Sequence, residues 1–270
     1  MTSYRYPNEQ IILALTLFLV FAVIAVTAVA TVCGSVLFVL VMLVISYLLN
    51  RSHHNELIKK AYPITPQSEP ELASLVNGCA ERLGSGSFST FIAPGNTLNA
   101  YTFGLAEPQV VVVYAGVLRI MDADELRFIF GHELGHVRLG HTWLNSLIGG
   151  MSGIPSPYLA AIVLYFSFRW WNRACEYSAD RAGLLACGKP EKAASALIKL
   201  AGGSYAARSA EGRQQALHRI EAEDDHLENN LREMISTHPM MIRRLEALRE
   251  YAVSPEYQRL QAQVNNAHPI

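Results

Sequence analysis

Apolar and polar positions divide this chain into blocks before any single residue is considered. Between Ile11 and Leu49 there is no charged side chain. At about 1.5 Å per residue, one helix of that length would run nearly twice the ~30 Å hydrocarbon thickness of a bilayer. The Cys33-Gly34-Ser35 step interrupts the run, so the pattern predicts two helices, residues 11–32 and 35–49, folded as a transmembrane hairpin within residues 1–50. The stretch is too long for the apolar core of a cleaved leader, and Glu9 stands where a leader would be basic. Arg5 precedes the hairpin, and Arg51, Lys59 and Lys60 follow it. By the positive-inside rule both ends then face the cytoplasm.

Residues 51–68 read as a linker, punctuated by Pro63 and Pro66. From residue 69 the pattern changes to that of a folded domain. Leu72, Leu75, Val76 and Cys79 recur at helical spacing across Glu69–Leu83. Phe88–Ile92, Leu98–Gly104 and the β-branched run Gln109–Tyr114 read as three strands of a small sheet. A strong helix follows: Asp122 and Glu125 have the spacing of a capping box, and Leu126, Ile129, Phe130, Leu134 and Val137 form its apolar stripe. Lys192–Leu200 predicts a helix ending at Gly202-Gly203, and Ala206–Met234 is helical in composition and acidic around Glu221–Asp225. Ser236-Thr237-His238-Pro239 then breaks the chain before a last amphipathic helix carrying Ile242, Leu245 and Leu248. The expected class is α+β and mostly helical, a domain over residues 69–270 with a small sheet, behind a transmembrane hairpin.

The chemistry concentrates in Phe130-Gly131-His132-Glu133-Leu134-Gly135-His136. Helical geometry stacks His132 and His136 on one face, where two neutral imidazoles bind one Zn²⁺ and leave positions for a third ligand and a water. Glu133 sits beside them, placed to take a proton from that water. Gly131 and Gly135 each cost the helix about 1 kcal/mol against Ala, which points to close packing or metal access at both positions. A third ligand on the same strand of sequence is not available, since Leu139 and Thr142 stand where a longer motif would need Gly and His. His141, nine residues past His132, projects to the opposite face of an extended helix and reads as a surface or capping residue.

Downstream, Glu176 and Asp180 share a helical face with Ala179 and Tyr177 rather than charge between them. Glu176 is the leading third ligand, and Asp180 then holds a ligating imidazole through its free N–H. Cys175 competes as a soft ligand, but on a helix it points about 100° away from Glu176. The sheet ahead of the metal helix offers an edge strand along which an extended peptide could add by main-chain pairing, or it only braces the helix.

Composition changes this picture little. A net charge of −1 carries no basic footprint, so nucleic acid is not an expected partner. The four cysteines lack paired spacing, which disfavours both a disulfide framework and a cysteine metal site.

These motifs, taken together, resemble the HtpX-like and CAAX prenyl endopeptidase-like family of membrane-associated zinc metalloproteases, the gluzincins. The resemblance runs from about Glu69 to Leu248. It rests on Asn99-Ala100-Tyr101, Val111-Val112-Val113, Gly116-Val117-Leu118, Asp124-Glu125-Leu126 and His132-Glu133-Leu134-Gly135-His136. It continues through Glu176-Tyr177-Ser178-Ala179-Asp180-Arg181-Ala182-Gly183 and Thr237-His238-Pro239 with Arg244-Leu245. It implies a zincin-type catalytic domain, one Zn²⁺ per chain on His132, His136 and Glu176, and Glu133 as general base and proton donor. It implies Asp180 behind a zinc ligand, Asn99, Ala100 and Tyr101 at the substrate-pairing edge, His238 near the oxyanion, and Arg244 at a shared position of open role. The expected activity is hydrolysis of peptide bonds in membrane or misfolded proteins, at an integral membrane enzyme, bacterial inner membrane by type, with a cytoplasmic catalytic domain. A polypeptide substrate and the lipid bilayer are its expected partners, with an oligomer or a regulatory membrane partner open. An inactive scaffold using zinc as a staple is the alternative, and a purely structural site has no need of Glu133. One departure is visible: members of the HtpX type have two spans between the His helix and the Glu helix, and here only about 30 residues lie between them.

That spacing generates a topological prediction. His136 and Glu176 must reach one metal, so the chain between them crosses a bilayer an even number of times. Two crossings need about 40 apolar residues, more than the uncharged run Thr142–Phe168 offers. Residues 142–171 are therefore expected to be an interfacial or re-entrant insertion, with Tyr158–Trp171 at the interface or packed on the hairpin and Trp170 and Trp171 at headgroup level, the alternative being an apolar helix buried in the core of the domain. Cysteines placed at Asn145 and at Asn172 should both be protected from an impermeant external label in intact cells. Labelling of only one means a crossing, and the assignment of Glu176 to the metal goes with it.

Overall fold

The computed structural model describes residues 4–30, 34–105, 107–148, 159–209, 211, 212, 214–216, 218 and 241–268. Two long helices open the chain, α1 (Glu9–Ala30) and α2 (Gly34–Lys60), followed by β1 (Tyr62–Pro63) and α3 (Pro70–Leu83). The sheet is completed by β2 (Phe88–Ala93), β3 (Ala100–Phe103) and β4 (Gln109–Tyr114), and a short α4 (Ala115–Ile120) leads into α5 (Ala123–Leu139). Beyond these come α6 (His141–Ile148), α7 (Leu159–Cys187), α8 (Pro190–Arg208), α9 (Met241–Ala252) and α10 (Pro255–Ala267).

The sheet order is β1-β2-β4-β3, with β2 and β4 parallel and the outer pairs antiparallel. Val111, Val112 and Val113 in β4 are fully buried, because helices cover one face and β3 and β2 flank the strand. β3 is an edge strand. The three strands and the capping box stand where their patterns predicted. The capping box does more than close α5. The Glu125 carboxylate accepts from the Asp122 N–H at 2.8 Å and also from Lys199 Nζ at 2.6 Å and Ser195 Oγ at 2.7 Å, so the start of α5 is bolted to α8 through a buried ion pair.

Helices α5 and α7 lie unusually near one another, and glycine is the reason. A Cβ on Gly131 would sit 2.5 Å from Ala186 Cβ and 3.0 Å from Gly183 Cα; one on Gly135 would sit 2.6 Å from Ala182 Cβ; one on Gly183 would sit 2.7 Å from the Phe128 carbonyl oxygen. No side chain fits between the backbones at these crossings, so the residues one turn along are brought within ligand distance of each other.

Toward the N-terminus, α1 rests on the first half of α7. Thr16 Oγ1 donates to the Ser167 carbonyl at 3.2 Å, and Ile12 packs with Leu144, Trp171, Ala174 and Cys175. Among the described residues α1, over Glu9–Val26, is the one helix with the length and apolarity of a membrane span. Its outer face is bare: Phe18 and Phe21 are each 68% exposed and Val29 86%. Such a continuous apolar face has no partner in water.

Three expectations change. The linker is largely ordered: α2 runs on past Leu49 to Lys60, because nothing from Arg51 to Lys60 breaks a helix, and β1 then adds to the sheet opposite Phe91 and Ile92. Gly202-Gly203 does not end α8, since neither glycine is needed in a left-handed turn and the helix continues to Arg208. Helix α10 was not anticipated at all, although Ser254 accepting from the Tyr257 N–H with Pro255 behind it is a readable start signal. The acidic stretch Glu221–Asp225 lies outside the described residues.

Replacing Gly135 with Ala should destabilise the protein by about 1–3 kcal/mol through overpacking, less up to about 1 kcal/mol gained in helix propensity. Adding Ala182→Gly should recover most of that loss. Thermal unfolding in detergent reads both; an unchanged midpoint in the single variant, or no recovery in the double, would mean the helix separation is set elsewhere.

Candidate metal centre

The two helices that meet at the glycines each offer a pair of side chains four residues apart. From α5, His132 and His136 turn their Nε2 atoms to within 3.3 Å of each other. From α7, Glu176 brings Oε2 to 3.6 Å from His132 Nε2 and Oε1 to 3.7 Å from His136 Nε2. Edges of a tetrahedron with bonds of about 2.0–2.1 Å measure about 3.3–3.4 Å, so the triad is already close to the geometry of a zinc site. Two imidazole nitrogens facing one another beside a carboxylate are a donor set for a divalent cation, and the residues fit zinc.

Each ring is held from behind. His132 Nδ1 lies 3.0 Å from Asp180 Oδ1, one turn along α7 from Glu176. Asp180 is itself gripped by Arg244 from α9, which donates Nε to Oδ2 at 2.8 Å and Nη2 to Oδ1 at 2.6 Å while Nη1 stands 2.9 Å from Glu176 Oε2. Arg244 therefore clamps two carboxylates at once. Behind the other ring, His136 Nδ1 lies 3.0 Å from His141 Nδ1.

Burial shapes the electrostatics. Desolvation drives the His136 imidazole well below its ordinary pKa, with the neighbouring His132 adding to the effect, so it is neutral and ligand-ready. Burial opposes the charged form of His132 as well, but the Asp180 hydrogen bond and the charges of Asp180 and Glu176 outweigh it, and its pKa is raised. Glu133 is raised too, chiefly by desolvation. Desolvation pulls on Arg244 in the other direction, but Asp180 and Glu176 overcome it and hold the guanidinium charged.

Glu133 points toward the sheet. Thr102 Oγ1, in the edge strand β3, donates to Glu133 Oε2 at 2.7 Å. Strand alternation then fixes the other residues of β3. Ala100 shares the face of Thr102, whereas Tyr101 and Phe103 face away and stack with His54 of α2, whose ring lies 3.7 Å from that of Phe103. The Tyr101 ring is thus engaged away from Glu133, so its share in a substrate edge is limited to its backbone. Asn99 is exposed just before the strand, its carbonyl accepting from the Tyr114 N–H at 3.0 Å.

The structure brings His132, His136, Glu176, Asp180 and Glu133 together as the spacing suggested. Cys175 is buried with Ile12 and Trp171, away from the triad. His238 lies outside the described residues. His141 corrects the sequence reading: it is 2% exposed, not a surface residue. The helical count across it fails because α5 ends at Leu139 and Gly140, at φ 76°, turns the chain back toward the metal face. Trp171 likewise is 2% exposed and meets the His141 ring edge-on at 6.2 Å, so of Trp170 and Trp171 only Trp170 is exposed. Thr102 and the clamp by Arg244 were not legible; a hydroxyl at an edge strand and an Arg four elements away carry no spacing signal.

The sequence matches the model of peptidase family M48 over residues 66–252. Among similar proteins, a "Protease HtpX homolog" of Moorella thermoacetica is 27% identical, covering 92% of this chain and 93% of its own. A second, from Thermococcus kodakarensis, is 28% identical over 68% of this chain and 74% of its own. The "Plastoglobule-localized metallopeptidase 48, chloroplastic" of Arabidopsis thaliana is 30% identical but matches 49% of this chain and 40% of its own. The crystal structure of S. mikatae Ste24p superposes with a TM-score of 0.50 at 16% identity, over 87% of this chain and 62% of that longer one, a likeness of fold.

Substitution of Arg244 by Lys keeps a charge but loses the fork that holds Asp180. Zinc affinity should fall about 10–100-fold, as it does when groups behind a ligand are lost. Competition with a chelator of known affinity measures it. Wild-type affinity in Arg244→Lys would show that Asp180 orients His132 unaided.

Proposed function

The chain belongs to peptidase family M48, and from that premise we propose that it is a membrane-anchored zinc endopeptidase in which His132, His136 and Glu176 hold the metal and Glu133 moves the proton. The observation that carries this reading is the division of labour among the carboxylates of the site. Glu176 faces both imidazoles and Asp180 backs one of them, while Glu133 is left out of the ligand set and turned toward the edge strand. A zinc staple in an inactive scaffold has no use for that third carboxylate.

Zinc, when bound, would supply Lewis acidity, lowering the pKa of a water toward neutrality and polarising the scissile carbonyl. Everything else falls to the chain. Glu133 accepts the proton of the attacking water at its carboxylate and returns it to the leaving amine nitrogen. Its burial, which raises its affinity for a proton, suits both halves of that transfer. Thr102 fixes the carboxylate rotamer, and it does so from the strand along which the peptide lies. An extended polypeptide adds to β3 from Asn99 and Ala100 onward, its main chain pairing with the free edge and its scissile bond carried past Glu133. His238 is assigned to the oxyanion on family resemblance alone.

The bare apolar face of α1, and the exposed Leu37, Leu40, Val44, Leu48 and Leu49 of α2, support a two-helix anchor in lipid. Arg5 and Lys59 with Lys60 at its two ends support a catalytic domain on the cytoplasmic side, in a bacterial inner membrane. Substrates are then membrane-embedded or misfolded proteins that present an extended segment at the membrane surface.

Glu133→Gln tests the chemistry. The purified variant should keep one zinc per chain while cleavage of an unfolded protein falls about 10²–10⁴-fold, the usual contribution of a general base. Undiminished cleavage would remove Glu133 from the mechanism, whereas a wild type that holds zinc and cleaves nothing would favour the scaffold.

A further inference from the structure

The His141 correction leads further. Behind His136 the buried chain does not stop at an imidazole: His141 Nε2 lies 3.0 Å from Glu9 Oε1, in the first turn of α1. Glu9 is 2% exposed, is paired with Arg5, and accepts from Ser178 Oγ on α7. Arg5 in turn donates to the Leu139 carbonyl at the end of α5 at 2.7 Å. The backbone of Tyr6 donates to Ser178 Oγ at 2.9 Å, and its ring lies 4.9 Å from that of Tyr177. The entry to the membrane helix is thus stitched to both helices that carry the metal ligands.

We infer that Glu9 and His141 are positioning residues for the metal centre, fixing the tautomer and ring orientation of His136 through its Nδ1. With His136 ligating through Nε2, the hydrogens fall in one order. Glu9, beside Arg5, is an acceptor, so a neutral His141 carries its proton on Nε2 and presents a lone pair at Nδ1. The facing Nδ1 of His136 must then carry a hydrogen, which leaves His136 Nε2 bare, directed at Glu176 and His132. On the other side of the site, Asp180 does the same to His132 directly. The two arms are parallel in build: Arg244, Asp180, His132 on one, and Arg5, Glu9, His141, His136 on the other. In the second arm the carboxylate comes from the membrane anchor, so metal binding and anchoring by α1 are one structure. The inference rests on His136 being a zinc ligand. Glu9, His141 and Cys175 also lie close enough to be counted as a metal cluster of their own, but Arg5 and Ser178 already occupy the Glu9 carboxylate.

The test compares two replacements of His141 in the full-length chain in detergent. Asn places an oxygen near the former Nδ1 and can still accept from His136; Leu fills more of the space and cannot. His141→Leu should lower zinc affinity about 10–100-fold and alter the visible spectrum of the cobalt-substituted protein, whereas His141→Asn, which keeps the acceptor for His136 and loses only the link to Glu9, should lose several-fold less than Leu. Glu9→Gln, which leaves the imidazole in place, should show an intermediate loss, and it stands in should the Leu variant not fold. If the pair only packs α1 onto the domain, Leu will bind zinc as well as or better than Asn, and the inference is overturned. Two metals per wild-type chain would also overturn it, in favour of a separate site at Glu9, His141 and Cys175. Wild type that binds no zinc would instead sink the metal reading itself.

Discussion

The site depends on how closely α5 and α7 approach. Glycine at 131, 135 and 183 removes the side chains that would hold two helices at their ordinary separation of about 8–10 Å. With the backbones in contact, an i,i+4 pair on one helix meets an i,i+4 pair on the other. Glu176 then spans the two Nε2 atoms, and Asp180, one turn further on, reaches the back of His132. Three hydrogen-bonded or ligating distances are thus fixed by one helix crossing. The helix-propensity cost of Gly131 and Gly135, about 1 kcal/mol each, is offset by the packing they permit.

Burying so much charge in that crossing requires balance. Glu133, Glu176 and Asp180 contribute three negative charges if all are ionised, and Arg244 contributes one positive. A divalent cation between the imidazoles brings that sum to zero. Within that cluster desolvation raises the proton affinity of Glu133; at His132 desolvation works the other way, and the Asp180 hydrogen bond with the charges of Asp180 and Glu176 overcomes it. Arg244 has a second effect in this balance. Its clamp on Asp180 keeps that carboxylate an acceptor, so it orients His132 by hydrogen bonding without drawing the proton away from the ring. Arg5 does the same for Glu9.

Local signals in the sequence carried local structure. The capping box of Asp122 and Glu125, the β-branched run of β4 and the spacing of His132 and His136 are each short-range patterns whose physics is complete within a few residues. Glu176 and Asp180 were legible as a pair because they too lie on one helix, and the 100° step between neighbouring helical positions set Glu176 ahead of Cys175. What could not be read was anything requiring a turn or a long-range contact. His141 was misplaced because a single left-handed residue, Gly140, reset the helical angle. The end of α8 was misplaced for the converse reason: Gly202 and Gly203 carry no positional requirement in the helix and were mistaken for a stop. Thr102, Arg244, Arg5 and Glu9 reach the site from β3, α9 and the start of α1 with the residues just before it, and no spacing in the chain announces such a meeting. Glu9 had been visible all along as an anomaly, a carboxylate at the head of an apolar helix, but it spoke only against a leader peptide.

That anomaly bears on how the protein is built. A carboxylate at the mouth of a membrane helix is costly unless it is paired, and here Arg5, Ser178 and His141 surround it. The pairing places the first turn of α1 at the depth of the metal, not at some distance along a tether. Helix α7 makes the same connection from the other direction, its first half lying against α1 and its second half bearing Glu176 and Asp180. The other membrane-proximal helix, α2, continues beyond the apolar segment and sets His54 on the ring of Phe103 in the edge strand. Both N-terminal helices therefore end on the candidate site, α1 behind His136 through His141 and α2 on the strand whose Thr102 holds Glu133. A domain joined this way cannot swing freely from α1, because Glu9 in its first turn and Arg5 just before it are held against α5 and α7.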